Sequence, residues 1–115
     1  MMHRSEIYEI LLQNKHILPA WLISELDFFC SKNSKINVDI EIKNVTNSYL
    51  DFLLKKSSNS DIDEARLTDF SSRYKALSNY ANKRVVYIMI FNSAHNSSLI
   101  LDNDTKTIIY FMNNW

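Results

Sequence analysis

The stretch from Arg84 to Phe91, RVVYIMIF, decides the fold, because it predicts a β-strand that is apolar on both faces. Its apolar residues follow Arg84 without interruption, a pattern typical of a strand that is covered from both sides. Helices of the same chain could cover both faces. A second protein, or a second copy of this chain, could instead cover one of them.

Two further strands follow at short intervals and predict an antiparallel meander. We expect the first of them from Ser97 to Leu101 and the other from Thr107 to Met112. The connections, residues 92–96 and 102–106, are rich in the Asn, Asp and Ser residues that favour turns. Such short connections join antiparallel neighbours, so the last third of the chain is expected to be three adjacent strands.

An earlier strand is predicted from Ile36 to Lys43, where apolar and polar residues alternate strictly. The apolar side chains are expected to face the core, and they are Ile36, Val38, Ile40 and Ile42. The polar side chains are expected to face water or a partner, and they are Asn37, Asp39, Glu41 and Lys43. The position of this strand in the sheet does not follow from the sequence.

The spacing of apolar residues predicts two helices before this strand. The first begins with Ser5 as its N-cap. The second runs from Pro19 to about Ser31, because proline favours the first helical turn. One face of the second helix is apolar and carries Leu22, Leu26 and Phe29.

Two more helices are predicted between residues 46 and 81. One is capped by Thr46 or Asn47, and the other by Asp61 in a capping box with Glu64. The order ααβααβββ therefore predicts a single α+β domain over residues 1–115, a common size for one domain. In it, about four helices pack on a mostly antiparallel sheet of about four strands.

The 115 residues include no glycine, although average usage is about 7%. Walker A loops, dinucleotide-binding turns, nucleophile elbows and EF-hands all need glycine at fixed positions. These sites are therefore excluded. Asp102 and Asp104 begin like a calcium loop, but Thr107 stands where that loop needs glycine, so we expect a hairpin turn there.

Charge and cysteine content favour a cytoplasmic protein that binds neither nucleic acid nor membranes. Thirteen basic residues balance thirteen acidic ones, whereas nucleic-acid binders usually carry a net positive charge. A single cysteine permits no internal disulfide. Near the N-terminus no continuous apolar segment of a signal peptide appears, and the apolar run from Val85 to Phe91 is too short for a membrane helix.

Candidate catalytic and metal-binding residues are isolated in the sequence. Glu41 and Lys43 form half of a nuclease-type motif, but no preceding strand supplies its metal-binding aspartate. Cys30 stands beside Phe29 on an apolar helix and is expected to be a small core residue rather than a nucleophile. The three histidines lie on different segments, which disfavours zinc. We therefore predict no catalytic residues, no metal and no cofactor.

One enzymatic alternative is a small RNase-type toxin or another nucleic-acid enzyme. The residues that suggest it are Arg66, Arg73, Lys75 and His95, together with several tyrosines. In size and in its mixture of helices and antiparallel sheet, the chain resembles such toxins. Those toxins are generally strongly basic, whereas this chain is neutral.

Acidic residues provide the remaining surface signal. Asp39 and Glu41 share one side of the predicted strand. A second group surrounds the start of the long helix and comprises Asp61, Asp63, Glu64 and Asp69. Because acidic surfaces steer the association of basic partners, we predict that both groups bind a protein, with a basic toxin domain as the leading candidate.

In its general profile the chain is similar to small bacterial immunity and inhibitor proteins. That resemblance implies a non-enzymatic, cofactor-free domain that neutralises a toxin by occluding its active site. A further alternative is a homo-oligomeric scaffold or secretion chaperone, for which an apolar sheet face would provide the contact. A homodimer is compatible with either hypothesis.

Overall fold

The computed structural model describes residues 2–58 and 73–114, and its elements follow the predicted order. Two helices, α1 (Arg4–Gln13) and α2 (Ala20–Glu25), precede strand β1 (Asn37–Asn44). Helix α3 (Asn47–Ser58) and the helical residues 73–78, named α4, come next. Three strands follow, β2 (Arg84–Phe91), β3 (Asn96–Asp102) and β4 (Ile108–Asn114). The predicted α+β class is confirmed.

The four strands form one antiparallel sheet in the order β1-β2-β3-β4. The meander of β2, β3 and β4 is therefore confirmed. Strand β1, which the sequence left unplaced, pairs with β2 so that Ile40 lies opposite Ile88. It is thus an edge strand of the described sheet.

One face of the sheet is covered by α1, α2 and the 3₁₀ turn that follows α2. The centre of this cluster is Ile88, which is fully buried in β2. Helix residues that meet it include the predicted apolar face of the second helix, namely Leu22, Leu26 and Phe29. The even-numbered residues of β2 point to this face because side chains alternate along a strand.

The other face is covered by α3 and α4. Leu53 of α3 and Leu77 of α4 are buried there against Val85 and Ile100 of the sheet. Because helices lie on both faces, the doubly apolar character of RVVYIMIF is explained by burial within one chain. Covering of both faces by helices of the same chain is the first of the alternatives that the sequence left open.

The Arg4 side chain connects the start of α1 to the segment between α2 and β1 by hydrogen bonds. Its Nε donates a 2.6 Å hydrogen bond to the carbonyl of Phe29, and its Nη2 donates to the carbonyl of Ile36. The same Nη2 donates to Ser34 Oγ at 3.2 Å, and the guanidinium lies 4.7 Å from the centroid of the Phe29 ring. One half-buried side chain therefore joins α1 to three residues of that segment.

Two residues adopt the left-handed backbone conformation that glycine usually provides. Asn82, with φ of 63°, lies in the turn before β2, and Lys106, with φ of 59°, lies in the turn before β4. Asparagine tolerates this region well, whereas lysine incurs about 1–2 kcal/mol there. The Lys106 ammonium donates to the carbonyl of Asn103, which holds the turn closed.

The structure corrects several local predictions. His3, not Ser5, is the N-cap of α1, and Glu6 accepts a hydrogen bond from the His3 backbone N–H. The second helix ends early, at Glu25, and continues as a 3₁₀ turn. Cys30 is exposed rather than part of the core, because it follows Phe29 on the outward side of that turn.

The cap of α3 follows the sequence more closely. Thr46 Oγ1 accepts a hydrogen bond from the backbone N–H of Tyr49 at 3.1 Å, so Thr46 is the cap. For the fourth helix, the predicted capping box of Asp61 and Glu64 lies outside the described residues.

Candidate functional site

The outer edge of β1 exposes backbone groups that no described strand pairs. Val45, just past β1, exchanges backbone hydrogen bonds with Lys83 and Asn82, before β2. On the far side of β2, Asn92 donates to the carbonyl of His95, so even-numbered β2 residues pair with β3. Since pairing alternates along an antiparallel strand, odd-numbered β1 residues bond to β2. The N–H and C=O groups of the even-numbered residues, Val38, Ile40, Ile42 and Asn44, therefore point outward.

Two acidic side chains lie together on one side of β1, as the sequence predicted. Asp39 and Glu41 are both exposed and project to the side of the sheet that α3 covers. The side chain of Glu41 is 63% exposed, and its contact with Lys43 is long at 3.9 Å. An exposed pair at this distance contributes little to stability, so the charge of Glu41 stays available to a partner.

Lys43 was predicted to face water or a partner, but its side chain lies against two tyrosine rings. The ammonium is 4.7 Å from the centroid of Tyr87 and 5.3 Å from that of Tyr49. Burial, with Tyr87, Tyr110 and Glu41 nearby, raises the pKa of Tyr49. Tyr49 therefore stays uncharged at neutral pH, and the fixed charges of this surface are those of Asp39, Glu41 and Lys43.

Ile42 departs most from its predicted place in the core. It is 60% exposed, although the alternation assigned it to the apolar face. A hollow of about 350 Å³ lies beside it, with an apolar wall of Met2, Ile40, Ile42 and Val86 and a polar rim of Glu6, Asn103 and Lys106. We name the exposed backbone of β1 together with Asp39, Glu41, Ile42 and Lys43 the edge surface.

A polar groove of about 630 Å³ lies at the end of the sheet. Its lining comprises Asn79, Tyr80, Lys83, Arg84, Asp102, Asn103 and Asp104. The carboxylate of Asp102 accepts backbone N–H bonds from Asp104 at 2.8 Å and from Thr105 at 2.9 Å. These bonds close the predicted hairpin turn, and with the Tyr80 hydroxyl they lower the pKa of Asp102. Asp102 thus contributes a structural carboxylate to the lining of the groove.

Replacing Tyr80 by phenylalanine is expected to raise the pKa of Asp102 while leaving it below its ordinary value near 3.9. The hydroxyl is one of four donors to the carboxylate, and the two backbone N–H donors and the Thr105 hydroxyl remain. Because the folded-state pKa is lowered, ionised Asp102 stabilises the fold above the unfolded pKa. That contribution is lost as pH falls through the folded value. NMR titration of the carboxyl carbon measures the shift.

Tyr8→Phe is the matched control, since Tyr8 stacks on Phe29 beneath the other face of the sheet. An Asp102 titration that is unchanged in Tyr80→Phe, or shifted equally in the control, would contradict the assigned hydrogen bond.

The structure tests the placement of only part of the predicted partner surface. It places Asp39 and Glu41 on one side of β1, as expected. Asp61, Asp63, Glu64 and Asp69 lie outside the described residues. The sequence did not identify Ile42 or the hollow beside it as surface features, because alternation alone cannot show where the covering helices end.

The residues of the RNase hypothesis are not gathered into one site where they are described. His95 stacks on Trp21 of α2, with ring centroids 5.3 Å apart. Arg73 instead donates to the carbonyl of Phe111 from α4, on the opposite side of the sheet from α2. Arg66 lies outside the described residues.

Over residues 2–58 and 73–114, no three His, Cys, Asp or Glu side chains converge as metal ligands would. Over the same ranges, no helix has the length and apolar character needed to cross a bilayer. No protein-family model, curated protein or solved structure matches the chain significantly.

Proposed function

We propose that this chain is a non-enzymatic binding protein that recognises a basic protein partner through the edge surface. The observation that carries the proposal is the exposure of Asp39, Glu41 and Ile42 along a strand whose outer backbone groups have no described partner. An edge strand of this kind is a ready template for another chain. Its two carboxylates would steer a basic partner towards it.

Among binding proteins, we propose a cytoplasmic immunity protein that neutralises a toxin. Such a protein needs a rigid surface that covers the active site of its target. Strand β1 is held rigidly, because it pairs with β2 along its whole length from Asn37 to Asn44. The apolar hollow beside Ile42 would receive a side chain of the toxin, and Asp39 and Glu41 would meet its basic residues.

Capture from the native host tests this proposal, with the full chain as bait and mass spectrometry as readout. We expect a stoichiometric basic protein with the unmodified chain. The double charge reversal Asp39→Lys with Glu41→Lys should reduce its recovery at least tenfold, because two attractive contacts become repulsive. Recovery of no stoichiometric partner by the unmodified chain would contradict the proposal.

The matched control is Glu9→Lys with Asp27→Lys, which changes the net charge equally at exposed carboxylates that are not part of β1. We expect this control to retain the partner. If both double variants lose it equally, recognition depends on net charge rather than on the edge surface. Thermal unfolding of both variants verifies that the fold is intact.

A further inference from the structure

We infer that, without a partner, the edge surface pairs with the same surface of a second copy of this chain. The two β1 strands would run antiparallel about a twofold axis through Ile42, joining two sheets into one. This inference goes beyond the proposed function and does not depend on it. The argument rests on the open backbone of β1, the exposure of Ile42 and the order of charges along the strand.

The outward-pointing N–H and C=O groups of β1 are compatible with a twofold axis through Ile42. Ile42 is one of the residues whose N–H and C=O point outward, so it would exchange both hydrogen bonds with Ile42 of the second copy. Ile40 and Asn44 would pair in the same way across the axis, giving about six backbone hydrogen bonds in all. The overlap ends there, because Val38 would next lie opposite Thr46, which already caps α3.

The charged side chains of β1 favour the register with its axis at Ile42 over the two neighbouring registers. With the axis at Ile42, Glu41 of each copy lies opposite Lys43 of the other, which gives two attractive cross-strand pairs. An axis at Glu41 would place that carboxylate opposite itself. An axis at Ile40 would place Asp39 opposite Glu41 twice. Only the Ile42 axis, among these three, opposes no like charges.

The same axis explains the exposed apolar side chain. Ile42, 60% exposed in the single chain, would lie against its own copy and close one side of the hollow. The contact is small beside standard protein interfaces, so we expect a weak, reversible dimer with a dissociation constant on the order of 100 µM.

Sedimentation equilibrium of the purified full chain, from about 10 to 500 µM, tests the inference without any partner. We expect the unmodified chain to dimerise reversibly. Glu41→Lys should raise the dissociation constant about tenfold, since two attractive pairs become repulsive. Lys43→Glu should do the same, whereas the double exchange, and an equimolar mixture of the two single variants, should restore dimers.

Asp39→Lys is the matched control for register. In the Ile42 axis it lies opposite Val45, beyond the paired strands, so we expect dimerisation to be nearly unchanged. A monomer at every concentration of the unmodified chain would overturn the inference. If Asp39→Lys weakened dimerisation as much as Glu41→Lys does, the register would be overturned, because the axis at Glu41 pairs Asp39 with Lys43.

A cross-link gives an independent readout that does not rely on charge. With Cys30→Ser as background, Ile42→Cys should form a disulfide-linked dimer on mild oxidation, since a hydrogen-bonded antiparallel pair separates Cα atoms by about 5.5 Å. Asp39→Cys should remain monomeric. Equal cross-linking of both variants would contradict the proposed axis. Failure here leaves the proposed function standing, because partner capture tests that separately.

Discussion

Replacing Ile88 by alanine is expected to lower the free energy of unfolding by about 3–4 kcal/mol. The side chain is fully buried at the centre of β2, between α1 and α2 on one face and the sheet that supports them. Alanine would remove most of its buried apolar surface and leave a cavity that rigid neighbours fill only in part. Urea denaturation monitored by circular dichroism measures the change.

Ile42→Ala is the matched control for this substitution. Both substitutions replace isoleucine by alanine, but Ile42 is 60% exposed. We therefore expect the free energy of unfolding to fall by less than about 1 kcal/mol at concentrations where the chain is monomeric. Similar losses in both variants would contradict the assignment of β2 to the centre of the core. They would also contradict the placement of β1 at the edge.

Replacing Arg4 by alanine is expected to destabilise the fold by about 2–3 kcal/mol. The guanidinium donates to the carbonyls of Phe29 and Ile36, and both acceptors would lose a charged donor in a half-buried setting. Lysine should recover little, because a single ammonium cannot reach acceptors that the planar guanidinium spans. Chemical denaturation of both variants provides the measurement.

Arg84→Ala serves as the matched control for Arg4. Arg84 is exposed at the start of β2, in the wall of the polar groove, and we expect its loss to change stability by less than about 0.5 kcal/mol. If Arg4→Ala were as mild as this control, α1 and the segment between α2 and β1 would have to be held together by apolar contacts alone.

Much of the fold follows from the sequence because its strands carry strong local signals. The bounds of β2 are those predicted, since the apolar run begins after Arg84 and ends at Phe91. Strand β1 is displaced by one residue, to Asn37–Asn44, and the meander follows from its short connections. The doubly apolar strand predicted that both faces of the sheet are covered, and covering by helices of the same chain was one of the alternatives.

The remaining differences come from tertiary context that periodicity does not contain. Alternation correctly groups Ile42 with Val38 and Ile40, yet it cannot show that the covering helices stop short of the edge. Likewise, an apolar helix predicted Cys30 in the core, but the chain turns outward there. The contacts of Arg4 join residues about 25 to 32 positions apart, and no local pattern marks them.

The candidate site was predictable only in its charges. Asp39 and Glu41 were identified because alternation places them together on one side of a strand. The open backbone that makes them part of an edge surface depends on the order of the strands, which the sequence left undetermined. The polar groove around Asp102 depends on the same long-range arrangement.

The position of β1 also bears on how the chain folds. Strands β2, β3 and β4 are joined by short turns, whereas roughly forty residues separate the end of β1 from the start of β2. Closing that longer loop costs more entropy, so the three-stranded meander can assemble first and β1 can dock onto it later. Strand β1, which carries the edge surface, would then be the last strand to complete the sheet as the chain folds.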